Sequence, residues 1–151
     1  MTDADFREQL EFIRQGFAAQ GMLHHLGVEI DAVGPGTATL SLAFRNEVAQ
    51  QNGYFHGGAI GFLVDDATAA AAVTTLRKGE TLLTAEYKLN FIAPAAGERL
   101  ICRAQVLRPG RTLVPVEARV FVVREGQETL CAVALASLAV RQAARLQHVA
   151  A

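Results

Sequence analysis

The stretch that decides the fold is residues 50–72, QQNGYFHGGAIGFLVDDATAAAA. His56-Gly57-Gly58 stands where a helix should begin, and a long run of small and apolar residues follows. Two adjacent acids, Asp65 and Asp66, interrupt that run. A helix that is apolar all round must be covered all round. The segment therefore predicts a central, buried helix carrying two charges that its surroundings must satisfy. The apolar run approaches the length of a membrane span. However, each Asp at mid-bilayer costs roughly 2.5–3.5 kcal/mol on the insertion scale, and two argue against a span.

The flanking patterns define what covers the helix. Phe6, Leu10, Ile13 and Phe17 recur at i, i+4, i+7 and i+11, which predicts an amphipathic helix over about 3–20. Gly16 and Gly21 weaken it toward its end. In GVEIDAVGPGTATLSLAF (27–44), two alternating runs flank Gly34-Pro35-Gly36, a hairpin signal. The polar, aperiodic RNEVAQQNGYF (45–55) reads as a loop. After Arg77-Lys78-Gly79 the period changes to two. Four runs follow: TLLTAEYKLNFI (81–92), ERLICRAQVLR (98–108), TLVPVEARVFVVRE (112–125) and ETLCAVALASLAV (128–140). Pro115 inside the third run predicts an edge position or a bulge there. The tail, 141–151, reads as frayed chain or a short surface helix.

This order predicts an α+β fold, an antiparallel sheet wrapped around one long helix, with an extra N-terminal helix. All 151 residues read as one domain with its core over about 27–140. One sheet cannot cover the whole helix, and open sheet edges invite pairing. A homodimer is therefore expected.

Composition excludes several classes. The chain is 51% hydrophobic and 19% charged, so it is not a disordered segment. A net charge of −1 with no long basic run argues against a nucleic-acid partner. Cys102 and Cys131 share no metal or redox spacing and read as reduced, buried thiols. The acidic start, MTDADFREQL, is no signal peptide, so a cytoplasmic location is expected. His24, His25 and His148 lack partners at ligand spacing and read as surface or packing residues; no metal or cofactor is expected.

Two features of the helix carry chemistry. The first amides of a helix lack intrahelical acceptors and sit at the positive end of its dipole. Gly57 and Gly58 would let a ligand carbonyl approach them closely. Asp65 and Asp66 point about 100° apart, so only one can face a given site. Asp65 follows Gly57 by eight residues, roughly 12 Å of helix rise. It cannot reach a carbonyl held at its own Gly57 amide, because reacting atoms must approach to about 3–3.5 Å. If both serve one site, they come from two copies of the helix packed antiparallel.

His56-Gly57-Gly58, with Asp65 nine residues after the His, and TAEYKLNFIAPA (84–95) after the helix, resemble the hotdog-fold acyl-CoA thioesterases. The resemblance is greatest to the PaaI-like, phenylacetate-pathway family and spans about residues 27–140. It implies hydrolysis of an acyl-CoA, with an aromatic acyl group such as phenylacetyl or hydroxyphenylacetyl as one candidate. Gly57 would donate its N–H to the thioester carbonyl, with His56 orienting the site. Asp65 would serve as nucleophile or general base, and Thr84 would help to place water. Many relatives have Asn where this chain has Gln50, with Asn52 nearby. Gln offers the same amide hydrogen bonds with a longer reach.

Around this centre, Gly58, Tyr54, Phe55, Phe62 and Ile92 are candidates for contact with the substrate. Arg108 and Arg111 flank a Pro-Gly turn and are candidates for the CoA phosphates. Arg77 and Lys78 read as complements to the helix dipole, and Glu86 and Lys88 as polar-face residues. Two other readings compete: a non-catalytic acyl-CoA-binding module, and a hotdog hydratase or dehydratase. The first should lack the acid, and the second should carry an acid–His pair placed differently. A pairing of dimers into tetramers is compatible with either.

Overall fold

The structure is a computed structural model and describes residues 3–143. The expectation for the C-terminal tail, His148 included, falls outside the described residues from residue 144 on.

The chain runs α1 (Asp3–Ala19), α2 (Gly21–Leu26), β1 (Val28–Gly34), β2 (Thr37–Ala43), α3 (Gly57–Val73), β3 (Glu80–Phe91), β4 (Arg99–Val106), β5 (Leu113–Arg124) and β6 (Gln127–Gln142). The six strands form one antiparallel sheet in the order β1-β2-β4-β5-β6-β3. α3 packs against all six strands. It contains no proline, its alanines and Leu63 favour a helix against the glycines of its first turns, and it buries Leu63, Val64, Ala67 and Ala71 completely. The facing strand residues, Leu40, Leu100, Val116, Val120 and Leu138, are equally buried. This core is the antiparallel sheet around one helix that the periodicity predicts.

The cover is incomplete. On α3 only Gly57, Gly58, Phe62, Asp65 and Ala69 escape full burial. Gly58, Phe62, Asp65 and Ala69 fall at i, i+4, i+7 and i+11, one stripe along the helix. β3 is an edge strand beside this stripe, and most of its residues are exposed.

The β3 register determines what faces α3. Leu82 and Thr84 stand opposite Val140 and Leu138, then a bulge at Ala85 shifts the phase. Beyond it, Tyr87, Leu89 and Phe91 stand opposite Ala136, Ala134 and Ala132. Cross-strand partners share a face, and these partners on β6 are all buried. Thr84 and Tyr87 therefore face the helix, although they are three positions apart.

One expectation is corrected. β5 is an interior strand, and its register shift lies at Val120/Phe121, not at Pro115. Pro115 is tolerated because β4 ends beside it. The Leu107 N–H still donates to the Pro115 carbonyl at 2.9 Å, and only the return bond is lost. The N-terminal helix runs straight through Gly16 to Ala19, and α2 starts immediately after Gln20. α2 closes on Gly27, whose φ of 73° is the left-handed cap that glycine favours.

Leu63 is fully buried between α3 and the sheet. Leu63→Ala should cost about 2–5 kcal/mol of unfolding free energy. Urea denaturation checks this, and a loss below about 1 kcal/mol would show that the helix is not the centre of the core.

Candidate active site

The site begins at the start of α3. His56 is the N-cap, in extended conformation (φ −67°, ψ 137°), and its Nδ1 accepts the Gly58 N–H at 2.8 Å. An accepting Nδ1 leaves the ring proton of the neutral imidazole on Nε2, pointing away from the helix. The Ala59 and Ile60 N–H groups both go to the His56 carbonyl. Among the described residues the Gly57 N–H has no acceptor. One free donor thus remains at the positive end of a 17-residue helix. This corrects the expectation for Gly58, whose N–H is taken by the cap.

Glycine at 57 is a matter of space. A Cβ there would lie 3.1 Å from the Phe91 ring, which stands over the helix start from the end of β3. Phe91 is 57% exposed and Ile92 54%, and Phe62 is half-buried on the neighbouring turn. Of these Phe91 stands beside the free amide, and Phe62, Ile92 and the exposed Tyr54 are further apolar side chains that are not buried in the core. Tyr87 adds its hydroxyl one turn further along, 3.1 Å from where a Cβ on Gly61 would be. Phe55, by contrast, is 3% exposed and packs edge-on to Phe44, with centroids 5.1 Å apart. It is a core residue, not a substrate contact.

Asp65 lies on the same helix, two turns on, and is half-buried. Its Oδ1 accepts a 2.6 Å hydrogen bond from Thr84 Oγ1. The Ala85 bulge makes this bond possible by turning Thr84 inward. The hydroxyl fixes the rotamer of the acid and leaves Oδ2 open. Gln50 and Asn52 belong to the turn before the helix. The Asn52 N–H donates to Gln50 Oε1 at 2.7 Å, and Gln50 N–H to the Tyr54 carbonyl. The Gln50 amide oxygen thus shapes the loop, and its NH₂ is what remains for a ligand.

Arg108 and Arg111 lie elsewhere. Gly36 N–H bonds Thr74 at the C-terminal end of α3, and Val106 N–H bonds the Gly36 carbonyl. The turn at 107–112 is therefore at the opposite end of the helix from Gly57, about 25 Å of helix rise away.

Residues 52–131 match the thioesterase superfamily. The chain belongs to the thioesterase superfamily. A relative in Saccharolobus solfataricus, whose name proposes an esterase, is 30% identical over 114 residues, 76% of this chain and 73% of that protein. A thioesterase family protein from Silicibacter pomeroyi superposes with a TM-score of 0.86 and 34% identity, covering 89% of this chain and 98% of its own. The E. coli PaaI protein, from the phenylacetic acid degradation operon, shares the fold at 0.78 and 18% identity, over 89% and 94%. The fold is thus the hotdog fold of thioesterases. No described helix is long and apolar enough to cross a membrane.

Within this thioesterase-superfamily scaffold Asp66 is a separate feature. It is 8% exposed, faces Gln20 at the α1–α2 junction, and its Oδ2 has no hydrogen-bond partner. Burial, and secondarily the neighbouring Asp65, push its carboxyl up to about 7, with Gln20 pulling the other way. The folded chain then keeps a proton there that the unfolded chain releases near 3.8. Stability contributed by this group falls as pH rises from about 4 to 7 and stays low above. Asp66→Asn should raise stability at pH 8 by roughly 1–3 kcal/mol relative to wild type and change little at pH 4. Thermal melts at the two pH values check this, and equal gains or losses at both would contradict it.

Proposed function

We propose that the chain is an acyl-CoA thioesterase that works as a homodimer with two shared sites. One observation carries this reading. A helix with one free N-terminal amide also holds, two turns on, an acid fixed by Thr84. Their separation forbids joint action within one subunit, and antiparallel pairing of two α3 helices removes the obstacle. The unburied stripe on α3 and the open edge of β3 support a second copy at this face.

In such a site the thioester carbonyl accepts the Gly57 N–H. Negative charge developing on its oxygen is stabilised there by the donor and the helix end. The partner's Asp65, as a carboxylate, completes the reaction by one of two routes. It takes a proton from water as the water oxygen attacks the carbonyl carbon, or it attacks directly to give a mixed anhydride that water then opens. In both the C–S bond breaks, CoA leaves as thiolate and takes up a proton, and the acid is released. Thr84 holds the attacking or accepting oxygen in place. The Phe91 ring at Gly57, Tyr87 at Gly61 and Phe62 on the open stripe of α3 suit an aromatic acyl group.

Complementation tests the reading. Proline is favoured at the first helical position, and His56 already has the ψ that precedes proline, so Gly57→Pro removes the N–H and keeps the helix start, while its Cβ requires the exposed Phe91 ring to shift. Asp65→Ala and Gly57→Pro homodimers should each lose at least about 100-fold in kcat/KM. Their mixture, after subunit exchange, should recover about half of the wild-type rate per mixed dimer, since one of its two sites is whole. Full turnover by Asp65→Ala, or no recovery after verified exchange, contradicts the proposal.

A further inference from the structure

β3 runs alongside α3 in the opposite sense, and three of its side chains mark successive turns of the helix. Phe91 stands over Gly57, Tyr87 stands over Gly61, and Thr84 bonds Asp65. Gly57, Gly61 and Asp65 follow one another at four-residue steps, so they form one row with about 6 Å of rise between neighbours. Tyr87 is thus halfway between the free amide and the acid. Its hydroxyl lies 3.1 Å, and its Cζ 3.9 Å, from where a Cβ on Gly61 would be, so the tip of the side chain rests against bare helix backbone. Tyr87 is 40% exposed and is no core residue. Its neighbours Thr84 and Glu86 hydrogen-bond Asp65 and Ser137, whereas the Tyr87 hydroxyl has no partner among the described residues. It does not clamp the strand to the helix either.

We infer that Tyr87 closes the inner end of the acyl pocket and sets the length of acyl group that the site accepts. This rests on the shared-site reading above, in which the thioester carbonyl is held at the Gly57 N–H. The CoA end of the substrate is large and charged and must stay continuous with solvent. The exposed turn at residues 51–54 opens on that side of the helix start. The acyl end then runs the other way, along the open stripe of α3 past Phe62 toward the Gly61 turn. There it meets the tip of Tyr87. The dimer makes this a dead end. Gly61 is the midpoint between Gly57 and Asp65, so a pairing that sets Gly57 against the partner's Asp65 sets Gly61 against the partner's Gly61. Tyr87 of each subunit therefore stands at the level of the two-fold axis, between the two sites. From the carbonyl to that level is about 6 Å of rise, room for roughly five carbons at about 1.25 Å per extended C–C bond, or for one aromatic ring.

The test is the ratio of kcat/KM for decanoyl-CoA over butanoyl-CoA, read by thiol release. Both values come from one enzyme preparation, so the ratio does not depend on the fraction folded. Wild type should favour butanoyl-CoA. Tyr87→Ala should raise the ratio about tenfold or more, the scale on which a pocket discriminates a few methylenes. Tyr87→Phe keeps the ring and should stay within about twofold of wild type. Tyr87→Leu should move the ratio in the same direction as Tyr87→Ala by a smaller factor, and it decides the matter if the alanine variant does not fold. An unchanged ratio on truncation, a wild type that takes decanoyl-CoA as readily as butanoyl-CoA, or a Tyr87→Phe shift as large as that of Tyr87→Ala overturns the inference. A wild type that releases no thiol from any acyl-CoA overturns the thioesterase reading and this inference with it. If instead the mixed dimer of Asp65→Ala and Gly57→Pro subunits stays inactive, the shared site fails, and the ratio still decides whether Tyr87 limits the acyl group.

Discussion

Gly57 and Asp65 are eight residues apart on one helix, and an α-helix holds that separation at about 12 Å. The free amide and the Thr84-held acid each look like half of a hydrolytic site, and the helix keeps them from being one. The rest of the molecule is consistent with that constraint. The sheet covers α3 except along one stripe, and the edge strand beside the stripe is left open. A second copy would satisfy both, at the place where the missing half of the chemistry is needed.

The two adjacent acids illustrate how direction along a helix separates roles. Asp65 turns toward β3 and finds a hydroxyl. Asp66, about 100° further round, turns toward the α1–α2 junction and remains short of a partner at Oδ2. Its burial is a cost to folding at neutral pH, whereas the half-buried Asp65 is open to a substrate. Placing two carboxyls on adjacent residues is easier when one of them stays neutral.

Much of this is legible in the residues. The apolar run from Gly57 announces the central helix, the later alternation announces the strands, and the His-Gly-Gly start with Asp65 announces the thioesterase resemblance. What escaped is the consequence of a single extra residue. Counting by two from Thr81 puts Leu83, Ala85 and Tyr87 on one face. The bulge at Ala85 instead places Leu82 and Thr84 inward before Tyr87. No local pattern marks that bulge, which brings Thr84 onto the face of Tyr87, Leu89 and Phe91. That Tyr87 and Phe91 lie against Gly61 and Gly57 is a matter of packing between strand and helix, which spacing within one segment does not show. Pro115 misleads for a similar reason: proline needs a missing hydrogen bond, and the end of a neighbouring strand provides one as well as an edge does. Phe55 lies beside the motif in sequence, yet its ring goes to Phe44 in the core.

The most direct test of the shared site is a crystal structure with a non-hydrolysable acyl-CoA analogue, read for which chain supplies each contact. A shared site places the analogue's carbonyl oxygen within hydrogen-bond distance of Gly57 N of one subunit, with the carboxylate facing it being Asp65 of the other. A carbonyl flanked only by groups of a single chain would contradict it.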